Sequence, residues 1–306
     1  MMQVHVSHPT EFFKVVEPAY NRLIQTGDDT TTLDIALAPG QYDGEHFKVI
    51  DRQNSGHVAV RVHAADPLHP PVLTNLTINL SGRSLHLENL VIADSTATNS
   101  VVTLRARDEI VVSNCAFVGL KRSPWPPDGS LATIEPAFGG TAARLLMHDC
   151  WWLGNCQGGT GYLLDLSGQQ TSWASVNFER VVFLDNQFDL GIRLGALQSV
   201  AFEKCLLHAV TTLTQVEYVG TRLQVCNSVL IGKPCIDDLV DFDASARITP
   251  GVLLELNPDV PPRFTLMDNQ QFDADILEQL DLPKLVQQAR RGVISDIKAL
   301  VAKLSG

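Results

Sequence analysis

The ten residues LHLENLVIAD, Leu85 to Asp94, carry the pattern that decides the fold. Apolar residues alternate with other residues on both sides of a polar one, Asn89, which predicts two short strands joined by a bend. Asn suits such a bend because it tolerates left-handed backbone and can bond the backbone locally. The pattern returns as IVVSNCAFVG from Ile110, LLMHDCWWLG from Leu145, VNFERVVFLD from Val176, VAFEKCLLHA from Val200 and LQVCNSVLIG from Leu223.

The spacing of these segments indicates a repeat architecture. Their starts are separated by 25, 35, 31, 24 and 23 residues, a period near 23 with insertions. A third short apolar stretch lies between them, as in VVTLRA, ATIEPA and YLLDLSG. One coil of three short strands cannot bury its own apolar face, whereas stacked coils share a continuous core. The sequence therefore predicts a solenoid.

The stretches before Leu85 extend the pattern toward the N-terminus. They read TLDIALAPGQYDG, HVAVRVHAAD and PPVLTNLTINLSG. With these opening coils, residues 30–240 resemble the parallel β-helix proteins of the pectin-lyase-like superfamily. The resemblance implies an all-β fold, a right-handed single-stranded parallel β-helix with three short strands per coil. It also implies that a ligand would lie along one parallel sheet, flanked by loops from adjacent turns.

The two ends differ from the repeat. Residues 1–30 are expected to cap the solenoid, because apolar residues in 9–26 fall at mostly helical spacing. The solenoid is expected over 31–249, followed by an irregular segment and C-terminal helices over 250–306. Pro283 is well placed for the first turn of one of these helices, and the last helices carry an apolar stripe that includes Leu285 and Ala289. This stripe either packs on the solenoid or serves for docking and oligomerisation.

Composition excludes several classes of protein. The 306 residues include 23 Lys and Arg against 34 Asp and Glu, a formal net charge of −11, which argues against nucleic acid as a partner. No apolar run is long enough to span a bilayer, so membrane insertion is not expected. The first residues show no secretory signal, which favours a cytoplasmic location, with a virion or non-classical export as alternatives.

Cysteine and histidine spacing gives no metal or cofactor motif. The six cysteines show no Cys-x-x-Cys pair and no zinc spacing, so no metal site and no cofactor are expected. Calcium is compatible with the resembled superfamily, but no motif supports it. Cys115 and Cys150 lie one coil apart, and the sequence leaves open whether they are bonded.

Four charged residues are expected to line up on one outer face of the solenoid: Arg105, Glu135, Asp165 and Arg193. One interpretation is a ladder in which opposite charges on adjacent strands assist pairing. The other is a groove in which Glu135 and Asp165, about 5 Å apart, act as acid and base. Arg193 would then stabilise a developing negative charge.

Two insertions flank this line. The loop 119–131 carries Lys121, Arg122, Trp125 and Asp128, and the insertion within 155–174 carries Trp173. Together with Arg105, these residues are the candidates for substrate binding, since Trp can stack on a sugar and Lys or Arg can meet an acidic group. The alternative is that the loops are surface loops whose Trp side chains pack on the solenoid.

The sequence thus leads to two functional hypotheses. In the first, the protein binds an extended polysaccharide along one parallel sheet, and, if it is an enzyme, cleaves it as a polysaccharide lyase or glycoside hydrolase. In the second, it is a non-catalytic assembly module, for example in a phage or multi-protein particle. Such a module would dock protein partners, or form a homo-oligomer, through its face and C-terminal helices.

Overall fold

A computed structural model describes the chain as a parallel β-solenoid. The described residues are 1–8, 11–26, 31–44, 46–50, 57–123, 129–137, 143–157, 161–166, 173–187, 190–194, 199–208, 212–216, 222–231, 252–254, 263–267, 270–272 and 274–293. All strand pairs that the structure describes are parallel, which confirms the expected all-β solenoid.

The strands form three parallel sheets. Sheet 1 begins with β1 (Met2–Val6), β2 (Thr32–Leu37), β4 (His46–Ile50), β5 (Ala59–Ala64), β7 (Thr77–Glu88) and β10 (Val102–Ser113). From β10 it divides into two wings. Wing 1 contains β13 (Ser130–Pro136), β17 (Tyr162–Leu166), β20 (Leu190–Leu194), β23 (Thr212–Val216) and β26 (Val252–Leu254). Wing 2 contains β14 (Ala143–His148), β18 (Trp173–Glu179), β21 (Ser199–Glu203), β24 (Arg222–Cys226) and β27 (Arg263–Met267).

The other two sheets consist of shorter strands. Sheet 2 contains β3 (Gln41–Asp43), β6 (Val72–Thr74), β8 (Val91–Ala93), β11 (Ala116–Val118), β15 (Trp151–Leu153), β19 (Val182–Leu184), β22 (Leu206–His208), β25 (Val229–Ile231) and β28 (Gln270–Phe272). Sheet 3 contains β9 (Thr96–Ala97), β12 (Lys121–Arg122) and β16 (Cys156–Gln157). The helices are α1 (Phe12–Thr26), a 3-10 helix (Ala274–Gln279) and α2 (Leu282–Arg290).

The polar residues at the centre of each repeat form the corner between sheet 1 and sheet 2. All six have left-handed backbone, with φ between 51° and 56°: Asn89, Asn114, Asp149, Arg180, Lys204 and Asn227. This confirms the predicted bends. A second left-handed corner follows the strands of sheet 2, at Asn75, Asp94, Gly119, Gly154 and Asp185.

The core is built from inward side chains that stack from coil to coil. Phe117 and Trp152 lie parallel with ring centroids 3.9 Å apart, and Phe178 and Phe202 do so at 4.7 Å. One buried polar group sits inside the second corner. Asn155 donates to the Phe117 carbonyl oxygen over 3.1 Å and accepts from the Leu120 amide over 2.9 Å, so it satisfies backbone groups left free where sheets 2 and 3 meet.

At both ends the strands extend beyond the predicted boundaries. Strand β1 lies in the segment expected to be only a cap, yet it pairs with β2, and α1 buries Phe12, Val16 and Leu23 against this first coil. At the other end, β26, β27 and β28 pair in register with the preceding coil, so part of the segment expected to be irregular continues the solenoid.

The C-terminal residues 274–293, which we call the strap, cover the outer face of sheet 2. Leu280, Leu285 and Ala289 of the strap are buried against outward residues such as Trp151 and Leu153. Helix α2 begins as predicted near Pro283, because Asp281 caps it by accepting from the Lys284 amide over 3.1 Å. Leu285 and Ala289 of the stripe therefore pack on the solenoid, whereas Val293, the next residue of the stripe, is 55% exposed.

Candidate functional site

A row of polar residues runs along the outer side of sheet 1, from β7 through β10 into wing 1. In register, Asn79, Thr103, Thr133, Asp165 and Arg193 occupy the same position on five neighbouring strands. We call this set the polar row. Its members alternate along each strand with inward residues, such as Leu104, Ile134 and Leu164, that are buried. Because neighbouring strands are about 4.8 Å apart, the row presents one polar residue per coil at that spacing.

The predicted single line of four charges is instead divided between two rows. Arg105 lies opposite Glu135, whereas Asp165 lies opposite Thr133 on one side and Arg193 on the other. Glu135 is therefore displaced from Asp165 by two residues, and such diagonal neighbours lie about 7–8 Å apart rather than face to face. The expectation that these two carboxylates are direct neighbours is wrong. Alternation predicts which side chains of a strand face outward. A register shift of two residues leaves the same side chains facing outward, so the sequence pattern does not reveal it.

Each of the two carboxylates contacts an arginine on the neighbouring strand. Arg105 Nε donates to Glu135 Oε1, and Arg193 NH1 lies 3.9 Å from Asp165 Oδ2. The Arg105 side chain is 49% exposed against 16% for Glu135, and Arg193 is 30% exposed against 20% for Asp165. The guanidinium groups are thus the outer partners. This arrangement matches the ladder interpretation, and it leaves neither carboxylate as an isolated acid or base.

A cluster of hydroxyl groups adjoins the polar row. Thr133 Oγ1 lies 2.6 Å from Ser100 Oγ and 2.8 Å from Ser130 Oγ, and the two serine hydroxyls are 3.3 Å apart. Nearby, the Arg193 guanidinium lies 5.1 Å from the centre of the Tyr162 ring. This group cannot be predicted from the sequence, because only the register of the coils brings together Ser100, Ser130, Thr133 and Tyr162.

The structure separates the other predicted binding residues. Lys121 is exposed on β12, the central strand of sheet 3, but Arg122, the next residue, is only 3% exposed. Trp173 is 1% exposed, and its indole Nε1 donates to the Leu166 carbonyl oxygen over 3.0 Å. A buried indole has no free face on which a sugar can stack, so Trp173 belongs to the core. Trp125 and Asp128 lie outside the described residues.

A second group of charges lies at the corner next to wing 2. Arg180 contacts Asp149 through two hydrogen bonds of 2.7 and 2.8 Å, and His148 Nδ1 lies 2.9 Å from the same carboxylate. Arg180, and to a lesser degree His148, hold the pKa of Asp149 below its ordinary value against the opposing effect of burial. The pairing stabilises a corner in which Arg180 has left-handed backbone.

Three of the described cysteines, Cys115, Cys150 and Cys205, are buried in the core as thiols. Cys115 and Cys150 are free and fully buried at equivalent positions of adjacent coils. Burial, followed by the neighbouring Cys115 thiol, raises the pKa of Cys150, and burial raises the pKa of Cys205 to about 12. Thiols of this kind are poor nucleophiles. Among the described residues, no three His, Cys, Asp or Glu side chains are grouped closely enough to hold a metal ion.

The chain was compared with known proteins on three levels. No protein-family model, no curated protein and no solved structure gives a match. Within the part of the chain that the structure describes, no helix is both long and apolar enough to cross a membrane. The resemblance drawn from the sequence therefore holds at the level of the parallel β-solenoid architecture.

Proposed function

We propose that the protein binds an extended polysaccharide along the outer face of wing 1. The observation that carries this proposal is the polar row, which offers a hydroxyl, amide, carboxylate or guanidinium group at the same position in five consecutive coils. A polymer of repeating polar units is the natural ligand for a repeating array, because each coil can contact it in the same way.

The chemistry of the row suits sugar hydroxyl groups. A hydroxyl both donates and accepts hydrogen bonds, so it needs acceptors and donors side by side. Asp165 supplies acceptors, Arg193 supplies donors, and the Thr133 hydroxyl supplies both. Arg105 and Glu135 repeat the donor and acceptor combination in the adjoining row. The turns of the repeat that contain β13 and β17 are 35 and 31 residues long against a period near 23, and insertions in solenoids often mark the binding face.

We propose that the protein binds the polysaccharide, and cleavage is not part of this proposal. Glu135 and Asp165 are displaced along the strand direction, and each contacts an arginine. We therefore assign Glu135, Asp165, Arg193 and Arg105 to ligand contact. If the protein is an enzyme of the lyase or hydrolase type expected from the superfamily resemblance, these residues are the first to test for catalysis.

Binding is tested by titrating the purified protein with neutral and acidic polysaccharides, with and without calcium, and measuring affinity by calorimetry. Asp165→Asn and Arg193→Gln should each weaken binding about tenfold or more, since each removes a charged hydrogen-bonding partner. Arg144→Gln, at an exposed outward position of wing 2, is the matched control and should bind normally. A reducing-end assay on the same mixtures detects cleavage. Equal affinities for all variants, or no binding at all, would contradict the proposal.

A second candidate function is a rigid assembly module. It is favoured by the pairing of all four predicted charges, because a ladder of this kind keeps an exposed sheet soluble without any ligand. Docking through the C-terminal stripe is less favoured, since Leu285 and Ala289 are already buried on sheet 2. Self-association in analytical ultracentrifugation that Asp165→Asn or Arg193→Gln abolishes, without polysaccharide binding, would support this candidate.

A further inference from the structure

Arg122 is a buried arginine at the end of β12, in contact with the glycine that precedes β13. Its side chain is only 3% exposed. A Cβ atom on Gly129 would lie 1.9 Å from NH2, 2.2 Å from Cζ and 2.6 Å from Nε of Arg122. All three distances are far below van der Waals contact, so the guanidinium occupies space that any side chain at position 129 would need.

The backbone on either side of this contact is fixed to neighbouring coils. The Ser123 amide donates to the Ala97 carbonyl oxygen over 2.8 Å, and the Gly129 carbonyl oxygen accepts from the Tyr162 amide over 3.2 Å. The guanidinium of Arg122 therefore lies beside both the end of β12 and the start of β13. Ser130, the first residue of β13, belongs to the hydroxyl cluster with Ser100 and Thr133.

We propose that Arg122 is a positioning residue for the binding face of wing 1, and that Gly129 is required to accommodate it. The guanidinium packs beneath Gly129 and sets the point at which β13 begins. That point decides where the hydroxyls of Ser130 and Thr133 lie relative to Asp165. Arg122 thus acts on the ligand through the start of β13 and does not contact it, in contrast to the sequence expectation of direct binding. The inference rests on the proposed function only for its effect on affinity.

The test is a double-mutant cycle of Gly129→Ala and Arg122→Leu. Leucine ends before the guanidinium atoms, so the added methyl group at 129 should accelerate amide hydrogen exchange at the start of β13 in the wild-type background and change it little in the Arg122→Leu background. Amide hydrogen exchange of residues 130–134 should accelerate about tenfold or more in Gly129→Ala, with exchange in wing 2 unchanged. Gly44→Ala, where a Cβ meets no atom within 4 Å, is the matched control and should change nothing.

The affinity measurement separates this inference from the proposed function. Gly129→Ala should weaken polysaccharide binding about fivefold or more at an unchanged melting temperature, an effect that general destabilisation would not produce. If the wild type binds no polysaccharide, the proposed function fails while hydrogen exchange still decides the role of Arg122. Wild-type exchange rates in Gly129→Ala, or additive effects in the cycle, would overturn the inference. If Arg122→Leu does not fold, the variant Gly129→Ser is measured in its place. Amide hydrogen exchange of residues 130–134 should then be faster in Gly129→Ser than in Gly129→Ala.

Discussion

The outer face of wing 1 and the outer face of sheet 2 belong to the same coils, yet they have opposite chemistry. The polar row of wing 1 is partly exposed and carries charges and hydroxyls. The outward residues of sheet 2, such as Val118, Trp151 and Leu184, are apolar and fully buried, because the strap covers them. Among the described residues, a solenoid coil thus has one side that is covered by the strap and one side whose polar residues are partly exposed.

The largest expected effect falls on the covered face. Trp151→Ala should lower the free energy of unfolding by about 3–5 kcal/mol, because it removes a large side chain that is 1% exposed between sheet 2 and the strap. Urea denaturation measures the change. Arg144→Ala, on the open outer side of wing 2, should stay within about 0.5 kcal/mol of wild type. Similar losses for the two variants would show that the two faces do not differ as described.

The contact between the strap and the second corner gives the next effect. Arg290 NH2 lies 2.6 Å from Asp94 Oδ1, and a Cβ on Gly119 would lie 2.8 Å from both atoms. Gly119→Ala should therefore cost about 2–3 kcal/mol, from the left-handed φ of 62° and from displacement of this ion pair.

Gly154→Ala separates the two causes of that loss. Gly154 has a similar φ of 57°, but a Cβ there meets only Val286 at 3.5 Å, an ordinary contact. This variant should lose only the backbone contribution, about 1–2 kcal/mol. Equal losses at Gly119 and Gly154 in thermal unfolding would show that the Arg290–Asp94 pair does not hold the strap.

A smaller, pH-dependent effect is expected at His208, at the end of β22. Its Nδ1 accepts a hydrogen bond of 3.2 Å from the Asp185 amide, and burial lowers the pKa of His208 below 6.5 although Asp185 opposes this. The unfolded chain therefore binds this proton first as the pH falls. The contribution of His208 to stability is present above pH 6.5 and is lost as the pH falls through the lowered pKa.

Replacement of His208 should remove this pH dependence. In His208→Asn, the melting temperature measured by calorimetry should fall less than in wild type as the pH is lowered from 7 to below 6.5. Burial raises the pKa of the nearby Asp185 above its ordinary value of 3.8. The contribution of Asp185 to stability is therefore present at low pH and is lost as the pH rises through the raised pKa, opposite to that of His208. The profile of Asp185→Asn therefore serves as the control, and an unchanged profile for His208→Asn would contradict the assignment.

The smallest effect is expected on the open face itself. Arg105→Gln should change the free energy of unfolding by less than about 0.5 kcal/mol, because Arg105 is half-exposed and surface ion pairs contribute little. The difference should shrink further in high salt. A loss above about 2 kcal/mol in urea denaturation would mean that the charges of wing 1 are structural, which would weaken the case for a ligand there.

The sequence predicted the elements that depend on local chemistry. The corners at residues such as Asn89 and Asp149 were identified because short polar residues in a period-two apolar pattern leave few alternatives to a bend. The outward orientation of Arg105 and Asp165 followed from alternation. The helix start near Pro283 followed from capping rules.

The features that depend on register or on distant contacts were not predicted. A shift of two residues preserves the face of every side chain, so sequence alone placed Glu135 beside Asp165. An interior and a surface Trp look alike in sequence, which is why Trp173 was taken for a binding residue. One feature of the sequence does mark the path of the strap. At the second corner, most coils have Asn or Asp, but two coils that the strap crosses there have glycine, at Gly119 and Gly154.

The equivalence of the coils has a consequence for how the chain can change length. Val176 and Val200 are partners in register, as are Phe178 and Phe202, so the 24 residues between two such partners form one complete turn. Removing or duplicating that unit joins two positions with the same backbone direction and the same inward side chain. Gene duplication or recombination can therefore lengthen or shorten this protein one coil at a time, and the length of its polar row changes with it.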